Sequence, residues 1–226
     1  VVAAGVVGAL ALAGFLVRQL LAAQPMMSLG LFRIRNFGWG NLGTFFVYAA
    51  LGLNAFVIGV YLQQGAGLSA TLAGLASLPI SILMTVGSSW AGSLAGRIGP
   101  RIPMTLGPAL MAAASLLMLF VSEPFDYWTQ LLPGIVLFGV GLTVTVSPLT
   151  AAILGSIDPA RSGIASAVNN AVARIAGLLA VAMLGVITAG SLDLAGFHRS
   201  LWVIAALMAA GGVVSWIGIR RVAAPA

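Results

Sequence analysis

The stretch "AGSLAGRIGPR", residues 91–101, is a glycine-rich basic turn that directly follows an almost wholly apolar segment. It belongs to a chain of 226 residues that is 61% hydrophobic and only 6% charged. A soluble domain normally carries about a quarter charged residues, so this chain lacks the polar surface needed to fold in water. Long apolar runs such as "PALMAAASLLMLFVS" (108–122) also differ from the alternating pattern of a membrane β-barrel. The sequence therefore predicts an all-α membrane protein surrounded by the lipid bilayer.

Apolar segments separated by polar or turn-forming breaks predict seven transmembrane helices. Each is long enough to cross the hydrocarbon layer, which takes roughly 20 residues of helix. The predicted spans are 2–23, 37–63, 69–95, 101–122, 127–155, 163–190 and 199–220. The last six divide into two groups of three, whose middle helices open with the similar stretches "GLASLP" (74–79) and "GIASAV" (163–168). Inverted three-helix repeats of this kind are typical of transporters.

Charged residues divide unequally between the two sides that these spans define. One side collects eight of the ten arginines with Asp158, and the other collects Glu123, Asp126, Asp193 and Arg199. Because loops rich in Lys and Arg stay in the cytoplasm, the turn at 91–101 and the C-terminus are predicted to be cytoplasmic. The net charge of +6 is therefore interpreted as a signal for membrane topology. Arginines scattered between apolar spans build no basic face, so no nucleic-acid partner is expected.

The opening turn resembles a family signature. It is similar to the loop that follows the second helix of a six-helix half in the major facilitator superfamily, at Gly92, Leu94, Ala95, Arg97, Gly99 and Arg101. Segments at 25–37, 60–79 and 163–177 resemble the C-terminal half of its fourteen-span drug:proton antiporter branch. The resemblance implies an extra transmembrane helix and cytoplasmic linker at 1–36. It further implies a C-terminal six-helix transporter bundle at 37–220 and a cytoplasmic tail at 221–226.

The same resemblance implies that the turn is a conformational latch between two half-bundles, formed by Gly92, Gly96, Arg97, Gly99 and Arg101. Gly92 and Gly96 have the spacing that lets membrane helices approach closely. Arg97 and Arg101 can reach lipid headgroups or bond the carbonyls at a helix C-terminus. Gly96 occupies the acidic position of the signature, so the usual charge relay of this motif is missing. The alternative interpretation is a cytoplasmic anchor with a glycine turn.

Ionisable groups inside the spans are functional candidates because charge is costly in hydrocarbon. Arg174 is the only one at membrane depth, and it is interpreted as a structural residue at the interface between the halves. The alternatives are that it binds an anionic group or that its side chain extends to the cytoplasmic interface. No Asp, Glu or His falls inside a predicted span, and His198 lies alone at the outer end of the last. Arginine does not titrate, so the proton that the resemblance implies as coupling ion must be carried by an N-terminal half.

The family layout assigns the substrate cavity to spans 37–63 and 127–155. The polar and aromatic candidates there are Asn41, Thr44, Tyr48, Asn54, Tyr61, Phe138, Thr143 and Ser147. Pockets for drug-like ligands are mostly apolar with a few directional polar groups, which these helices can supply. The alternative for each residue is hydrogen bonding between helices.

The function implied by the resemblance is transport of small molecules as the C-terminal half of a multidrug-type, proton-coupled efflux transporter that works by alternating access. Its expected partners are the plasma-membrane bilayer, an N-terminal half and a small amphipathic or cationic substrate. The alternative is a non-transporting scaffold or an inactive truncated fragment. An intramembrane serine protease is nearly excluded, because Ser88 and Ser89 lie near the opposite side from His198. With no cysteine in the chain, neither a metal nor another cofactor is expected.

Overall fold

The computed structural model describes residues 2–21, 29–188 and 192–220. Its α-helices are α1 (Val2–Leu21), α2 (Arg35–Val60), α3 (Ala70–Ala76), α4 (Leu78–Ile98), α5 (Arg101–Leu117), α6 (Leu132–Leu154), α7 (Ser162–Ala182), α8 (Leu184–Ile187) and α9 (Leu194–Gly218). Short 3₁₀ or π turns adjoin them at Leu29–Arg33, Tyr61–Gly65, Met118–Phe120, Tyr127–Leu131 and Pro159–Arg161. No β-strand occurs within the described ranges, which agrees with the predicted all-α class.

Six helical segments are long and apolar enough to cross a membrane: Arg35–Gly65, Ala70–Ile98, Arg101–Phe120, Tyr127–Leu154, Pro159–Ala182 and Leu194–Gly218. They correspond to the last six predicted spans and confirm the six-helix bundle. Helix α1 forms where the first span was predicted but is not among these six, so its role as a seventh span stays a prediction. The predicted tail at 221–226 and residues 22–28 of the linker lie outside the described residues.

The last span begins at Leu194 rather than at the predicted residue 199. The side chain of Asp193 accepts a hydrogen bond of 2.7 Å from the backbone N–H of Gly196 and so caps the first turn of α9. His198 therefore lies inside the span, and the expectation that no span contains a histidine is wrong. Its Nε2 atom is 2.9 Å from the carbonyl oxygen of Val121.

The two groups of three helices pack in the same way. The first helices of the two groups, α2 and α6, contact each other at the centre of the bundle. Helix α2 also packs against α7 and α9, whereas α6 packs against α4 and α5, and α5 packs against α9. If α2, α4 and α5 of the first group are exchanged for α6, α7 and α9 of the second, the same set of helix contacts results. This is expected of inverted repeats.

Arginines gather where α4 and α9 end and where α2 and α5 begin, which is here called the arginine-rich end. The Arg35 side chain donates to the carbonyl oxygens of Gly218 (2.9 Å) and Ile217 (2.7 Å). Arg101 Nε donates to the carbonyl oxygen of Trp216 at 2.8 Å. Both arginines thus satisfy carbonyls that the last turn of α9 leaves without a helical donor.

The second helix of each group is interrupted at the opposite end of the bundle. Helices α3 and α4 are separated at Ser77, because Pro79 has no N–H group and its ring clashes with the preceding turn. Ile80 donates to the carbonyl of Ser77 at 3.2 Å, and the freed carbonyl of Ala76 instead accepts a 2.9 Å hydrogen bond from the Tyr127 hydroxyl. In the other group, α7 ends at Ala182 and the short α8 follows Met183. The span predicted at 163–190 is therefore a shorter helix with a separate last turn.

Helices α2 and α7 cross where glycine faces glycine. A Cβ atom built on Gly52 would lie 2.9 Å from Gly177 Cα and 3.1 Å from Gly177 O. The backbones are in contact because neither residue has a side chain, which is how helices without a hydrophobic driving force pack closely in lipid. A similar approach joins α5 to α6, where a Cβ on Gly141 would lie 2.7 Å from Gly107 O.

We expect Gly52→Ala to lower the free energy of unfolding by ~1–3 kcal/mol, because the added methyl group meets rigid backbone and forces α2 and α7 apart. Thermal unfolding of the purified chain in detergent measures the loss. Gly59→Ala on the same helix is the matched control, since its Cβ would meet nothing within 4 Å. Equal unfolding temperatures for the two variants would contradict this account of the crossing.

Candidate functional site

A cavity of about 540 Å³ lies between α2, the α3–α4 pair and α6. This volume is within the range of small-molecule sites, which are mostly apolar with a few polar groups. Its apolar wall includes Leu51, Ile58, Ile80, Met84, Phe138, Leu142 and Val146. Its polar groups come from Tyr48, Asn54, Ser77 and Ser81. Of the eight residues predicted for a substrate cavity, the structure places Tyr48, Asn54 and Phe138 on this wall.

Asn54 is a buried polar residue whose side-chain oxygen has no hydrogen-bond partner among the described residues. Its side chain is only 4% exposed, and its Oδ1 atom is buried without a hydrogen-bond partner. Among the described residues no other buried side-chain nitrogen or oxygen lacks a partner. A buried acceptor without a donor is energetically unfavourable, so such an atom calls for an explanation.

Asn41 and Thr44 face a different neighbour, α7. Asn169 Nδ2 donates to Asn41 Oδ1 (3.2 Å) and to Thr44 Oγ1 (2.8 Å). The two α2 side chains also donate back to the carbonyls of Phe37 (2.9 Å) and Gly40 (3.0 Å). These residues join α2 to α7 and are not on the cavity wall.

The other three predicted cavity residues lie at helix contacts. Tyr61 is buried and its ring stacks on Phe197 with 4.1 Å between centroids. The Thr143 hydroxyl donates to the Gly139 carbonyl at 2.8 Å. The Ser147 hydroxyl donates to the Ser88 carbonyl at 3.4 Å, which joins α6 to α4.

Ser77, Ser81 and Met84 contribute to the cavity but were absent from the sequence-based candidates. They are three or four residues apart and share one face of the helix beside Pro79. That spacing was available in the sequence. These three residues were not predicted because the family layout assigns the cavity to spans 37–63 and 127–155 alone.

The turn at 91–101 places its residues at the arginine-rich end. The Arg101 guanidinium lies 4.2 Å from the centre of the Trp216 ring, in addition to its bond to the Trp216 carbonyl. Arg97 is exposed in the last turn of α4. Gly99 ends that helix with φ of 86° and ψ of 159°, a conformation that is essentially restricted to glycine.

No helix of the described residues approaches closely at Gly92 and Gly96, so the close approach predicted for this pair stays a prediction. A Cβ on Gly96 would meet nothing within 4 Å, and one on Gly92 would make an ordinary contact of 3.9 Å with Ser147. The glycines instead line a groove of about 250 Å³ between the ends of α4 and α6, together with Ala95, Gly99, Pro100, Ala151, Ala152 and Gly155. The tight contacts of this bundle are made elsewhere, at Gly52 and Gly107.

Arg174 lies on the exposed side of α7 and makes no hydrogen bond or ion pair with any other described residue. At ~1.5 Å per residue it is roughly 18 Å along the helix from Ser162, inside the candidate span Pro159–Ala182.

The family model of the major facilitator superfamily matches residues 2–181 and again residues 41–226. The chain belongs to this superfamily. Its similar relatives include the Methylenomycin A resistance protein of Streptomyces coelicolor, which is 29% identical over 90% of this chain and 43% of its own length. The Tetracenomycin C resistance and export protein of Streptomyces glaucescens is 30% identical over 80% of this chain and 33% of its own length. The Multidrug efflux pump LfrA of Mycolicibacterium smegmatis is 32% identical over 82% of this chain and 36% of its own length.

This major facilitator chain spans less than half the length of these curated relatives. Together with the six candidate spans, that share is consistent with one half-bundle of a larger protein. The relatives are named for resistance, export or efflux, which supports a role other than that of an enzyme.

We expect Gly99→Ala to lower the free energy of unfolding by ~1–3 kcal/mol, because alanine is strained at the φ of 86°. Gly96→Ala, in the same turn, is the control. Its methyl group has open space, and alanine favours the helix by ~1 kcal/mol over glycine, so this variant should be as stable as the parent or more so. Thermal unfolding in detergent compares the two variants. A similar loss of stability in both would contradict the assignment of backbone strain to position 99.

Proposed function

We propose that this chain is the C-terminal half of a multidrug efflux transporter that is coupled to protons and works by alternating access. The observation that supports this most strongly is the uneven burial of the six spans. Of the residues in the most apolar part of Ala70–Ile98 and Pro159–Ala182, only 11% and 22% are buried, against 44% to 56% in the other four spans. Both poorly covered spans are the second helices of their groups.

These two helices flank the central pair. Helix α4 packs against α6 and lines the cavity, whereas α7 packs against α2, which also lines the cavity. We take α4 and α7 as the two edges of the side that faces the N-terminal half. An N-terminal half placed on this side would cover both helices and enclose the cavity between the halves. Rocking of one half against the other would then open the cavity to each side of the membrane in turn.

Arg174 supports the same placement. A guanidinium that faces lipid in the middle of a span is costly, so intramembrane arginines face a protein partner or a water-filled cavity. No described residue supplies that partner. An acceptor on the N-terminal half, or water in the pathway between the halves, would supply it.

The latch belongs to this proposal as well. The groove beside Gly92, Gly96 and Gly99 is open at the arginine-rich end and is large enough for a side chain of another helix. Arg101 is engaged with α9 of its own bundle, so we take the groove as the contact surface for the other half. In this proposal the transporter lies in the plasma membrane. The arginine-rich end faces the cytoplasm.

We assign the residue that carries the coupled proton to the N-terminal half. No Asp or Glu lies in the six candidate spans, and the one histidine there, His198, is bonded to Val121 near the end of its helix. A proton carrier within the membrane therefore has to come from the N-terminal half.

We expect cells that express this chain fused to an N-terminal six-helix half of a major facilitator exporter to export ethidium, and cells that express the chain alone not to. The reason is that the substrate pathway needs both halves. Fluorescence of preloaded cells measures the efflux, and collapse of the proton gradient should stop it.

Gly96→Leu should abolish that efflux without lowering stability, because the Cβ at this position has open space and the longer side chain extends into the groove. Gly59→Ala is the control that should leave efflux unchanged. Efflux by the chain alone would mean that copies of it assemble a pathway, which contradicts the two-half proposal. Correct insertion with no efflux in either form would favour a scaffold or an inactive fragment.

We expect Arg174→Leu to reduce efflux by the fused protein about tenfold or more, because a hydrogen bond to a charged group contributes ~1.5–3 kcal/mol. The unfolding temperature of the 226-residue chain alone should not fall, since Arg174 has no bonded partner in its described part. Arg161→Leu, at the end of the same span, is the control and should retain efflux. Unchanged efflux by the Arg174 variant would contradict its placement between the halves.

A further inference from the structure

We propose that the outer face of α5 and α9 binds an anionic phospholipid, with one acyl chain in a groove between the two helices and the phosphate on Arg101 and Arg35. No residue of α5 or α9 lines the central cavity, and neither α4 nor α7 lines this groove. The site therefore does not rest on the proposed transport function, and lipid can reach it whether or not a second half covers α4 and α7.

The groove between α5 and α9 has a volume of about 450 Å³ and an almost wholly apolar wall. Small residues of both helices leave it open: Ala109, Ala112, Ala113, Ala209 and Gly212. Thr105 supplies the one hydroxyl on the wall, and that hydroxyl donates to the Arg101 carbonyl at 2.8 Å. With its hydroxyl already bonded, the wall suits a hydrocarbon chain rather than a polar ligand.

The length of the groove matches one leaflet of a bilayer. Along α5 it extends from Thr105 to Leu116, which is roughly 17 Å at ~1.5 Å per residue. Half of the ~30 Å hydrocarbon layer is about as deep. Thr105 lies one turn from the start of α5 at the arginine-rich end, so a chain in the groove would belong to a lipid whose headgroup lies at that end.

Trp216 connects the apolar groove to positive charge. Its ring is part of the groove wall, and the Arg101 guanidinium lies 4.2 Å from the ring centre. Within the described residues, Arg101 bonds only through Nε, which donates to the Trp216 carbonyl at 2.8 Å. A guanidinium has five N–H donors, so the Nη groups of this exposed arginine can bind a phosphate in bidentate geometry.

Arg35 brings a second guanidinium to the same turn of α9. It donates to the carbonyls of Ile217 and Gly218, which directly follow Trp216 in the chain. The two arginines are thus bonded to three consecutive carbonyls and lie close together at the mouth of the groove.

The charge of these two arginines is not balanced within the described residues. Of the four acidic residues, Asp126 and Asp193 cap helical segments that begin at the opposite end of the bundle, and Glu123 lies in the loop before Asp126. Asp158 accepts from the backbone N–H of Ala160 at 2.9 Å. Basic pockets between helices at the membrane surface bind anionic headgroups, and this pocket adds a groove for the acyl chain.

The test measures lipid binding to the purified 226-residue chain in detergent by native mass spectrometry. Dioleoyl phosphatidylglycerol and dioleoyl phosphatidylcholine have the same acyl chains, but only the first has a net negative charge. Arg101→Gln removes the charge and keeps an N–H donor for the Trp216 carbonyl. Ala109→Phe fills the groove from an exposed position, so this variant should fold.

We expect the parent chain to bind phosphatidylglycerol about tenfold more tightly than phosphatidylcholine. Arg101→Gln should remove most of that preference and leave phosphatidylcholine binding within about twofold of the parent. Ala109→Phe should weaken the binding of both lipids about fivefold or more, because both use the groove.

Two matched controls should leave both affinities within about twofold of the parent. Arg161→Gln removes the same charge from another exposed arginine, and Ala206→Phe adds the same ring at an exposed position of α9 that is not on the groove wall. An excess of inorganic phosphate should not displace the lipid, because the acyl chain contributes to binding.

Equal binding of the two lipids by the parent would overturn the proposal, as would an effect of Arg101→Gln no larger than that of Arg161→Gln. Unchanged binding by Ala109→Phe would show that lipid does not enter the groove. Displacement by inorganic phosphate would mean that the arginines bind free anions rather than lipid. A dimer that Ala109→Phe dissociates, without lipid selectivity, would make a second copy of the chain the occupant and reject the lipid site.

Discussion

In hydrocarbon there is no water to satisfy a polar group, so every interruption of a helix must be repaired by the protein itself. This constraint explains most of the polar contacts in the bundle. The Ala76 carbonyl, which is freed where α3 and α4 separate, is bonded by the Tyr127 hydroxyl, and the last carbonyls of α9 are bonded by Arg35 and Arg101. Hydroxyl groups inside spans, such as those of Thr143 and Ser115, donate to the carbonyl four residues earlier. The groups that are not repaired in this way are therefore informative.

Close packing follows from the same constraint. Apolar side chains gain little by leaving lipid for protein, so helices are held by contact area and by bonds between them. The α2–α7 pair combines both, with the backbone contact of Gly52 and Gly177 and the bonds of Asn169 to Asn41 and Thr44. The equivalent α4–α6 pair also packs closely, because a Cβ on Gly139 would lie 3.1 Å from Ile80 Cα, and it encloses part of the cavity. Both pairs of the internal repeat therefore depend on a glycine at the crossing.

The spans could be predicted from the sequence because hydropathy and turn residues act locally. Their exact starts depend on caps, and α9 begins early because Asp193 caps it, which a hydrophobic pattern does not reveal. The cavity was harder to predict. Asn41, Thr44 and Asn54 are similar residues on one helix, and periodicity does not tell which of them faces α7 and which faces α6. The sequence also contains the small residues at Gly92 and Gly96, but whether such a pair makes a contact or a groove depends on where the neighbouring helix runs.

The two unrepaired groups, Asn54 and Arg174, point to the same missing surface. Asn54 of α2 lies on the wall of a cavity that α4 also lines, and Arg174 lies on the exposed side of α7, so each residue lies on or beside one of the two poorly covered spans. On the opposite side, where α5 and α9 pack together, the hydroxyls of Thr105 and Ser200 are bonded to carbonyls of their own helices. A bundle that faced lipid all round would gain nothing from a bare arginine and an open amide on one side alone. Their location supports the proposal that a second half-bundle covers this side.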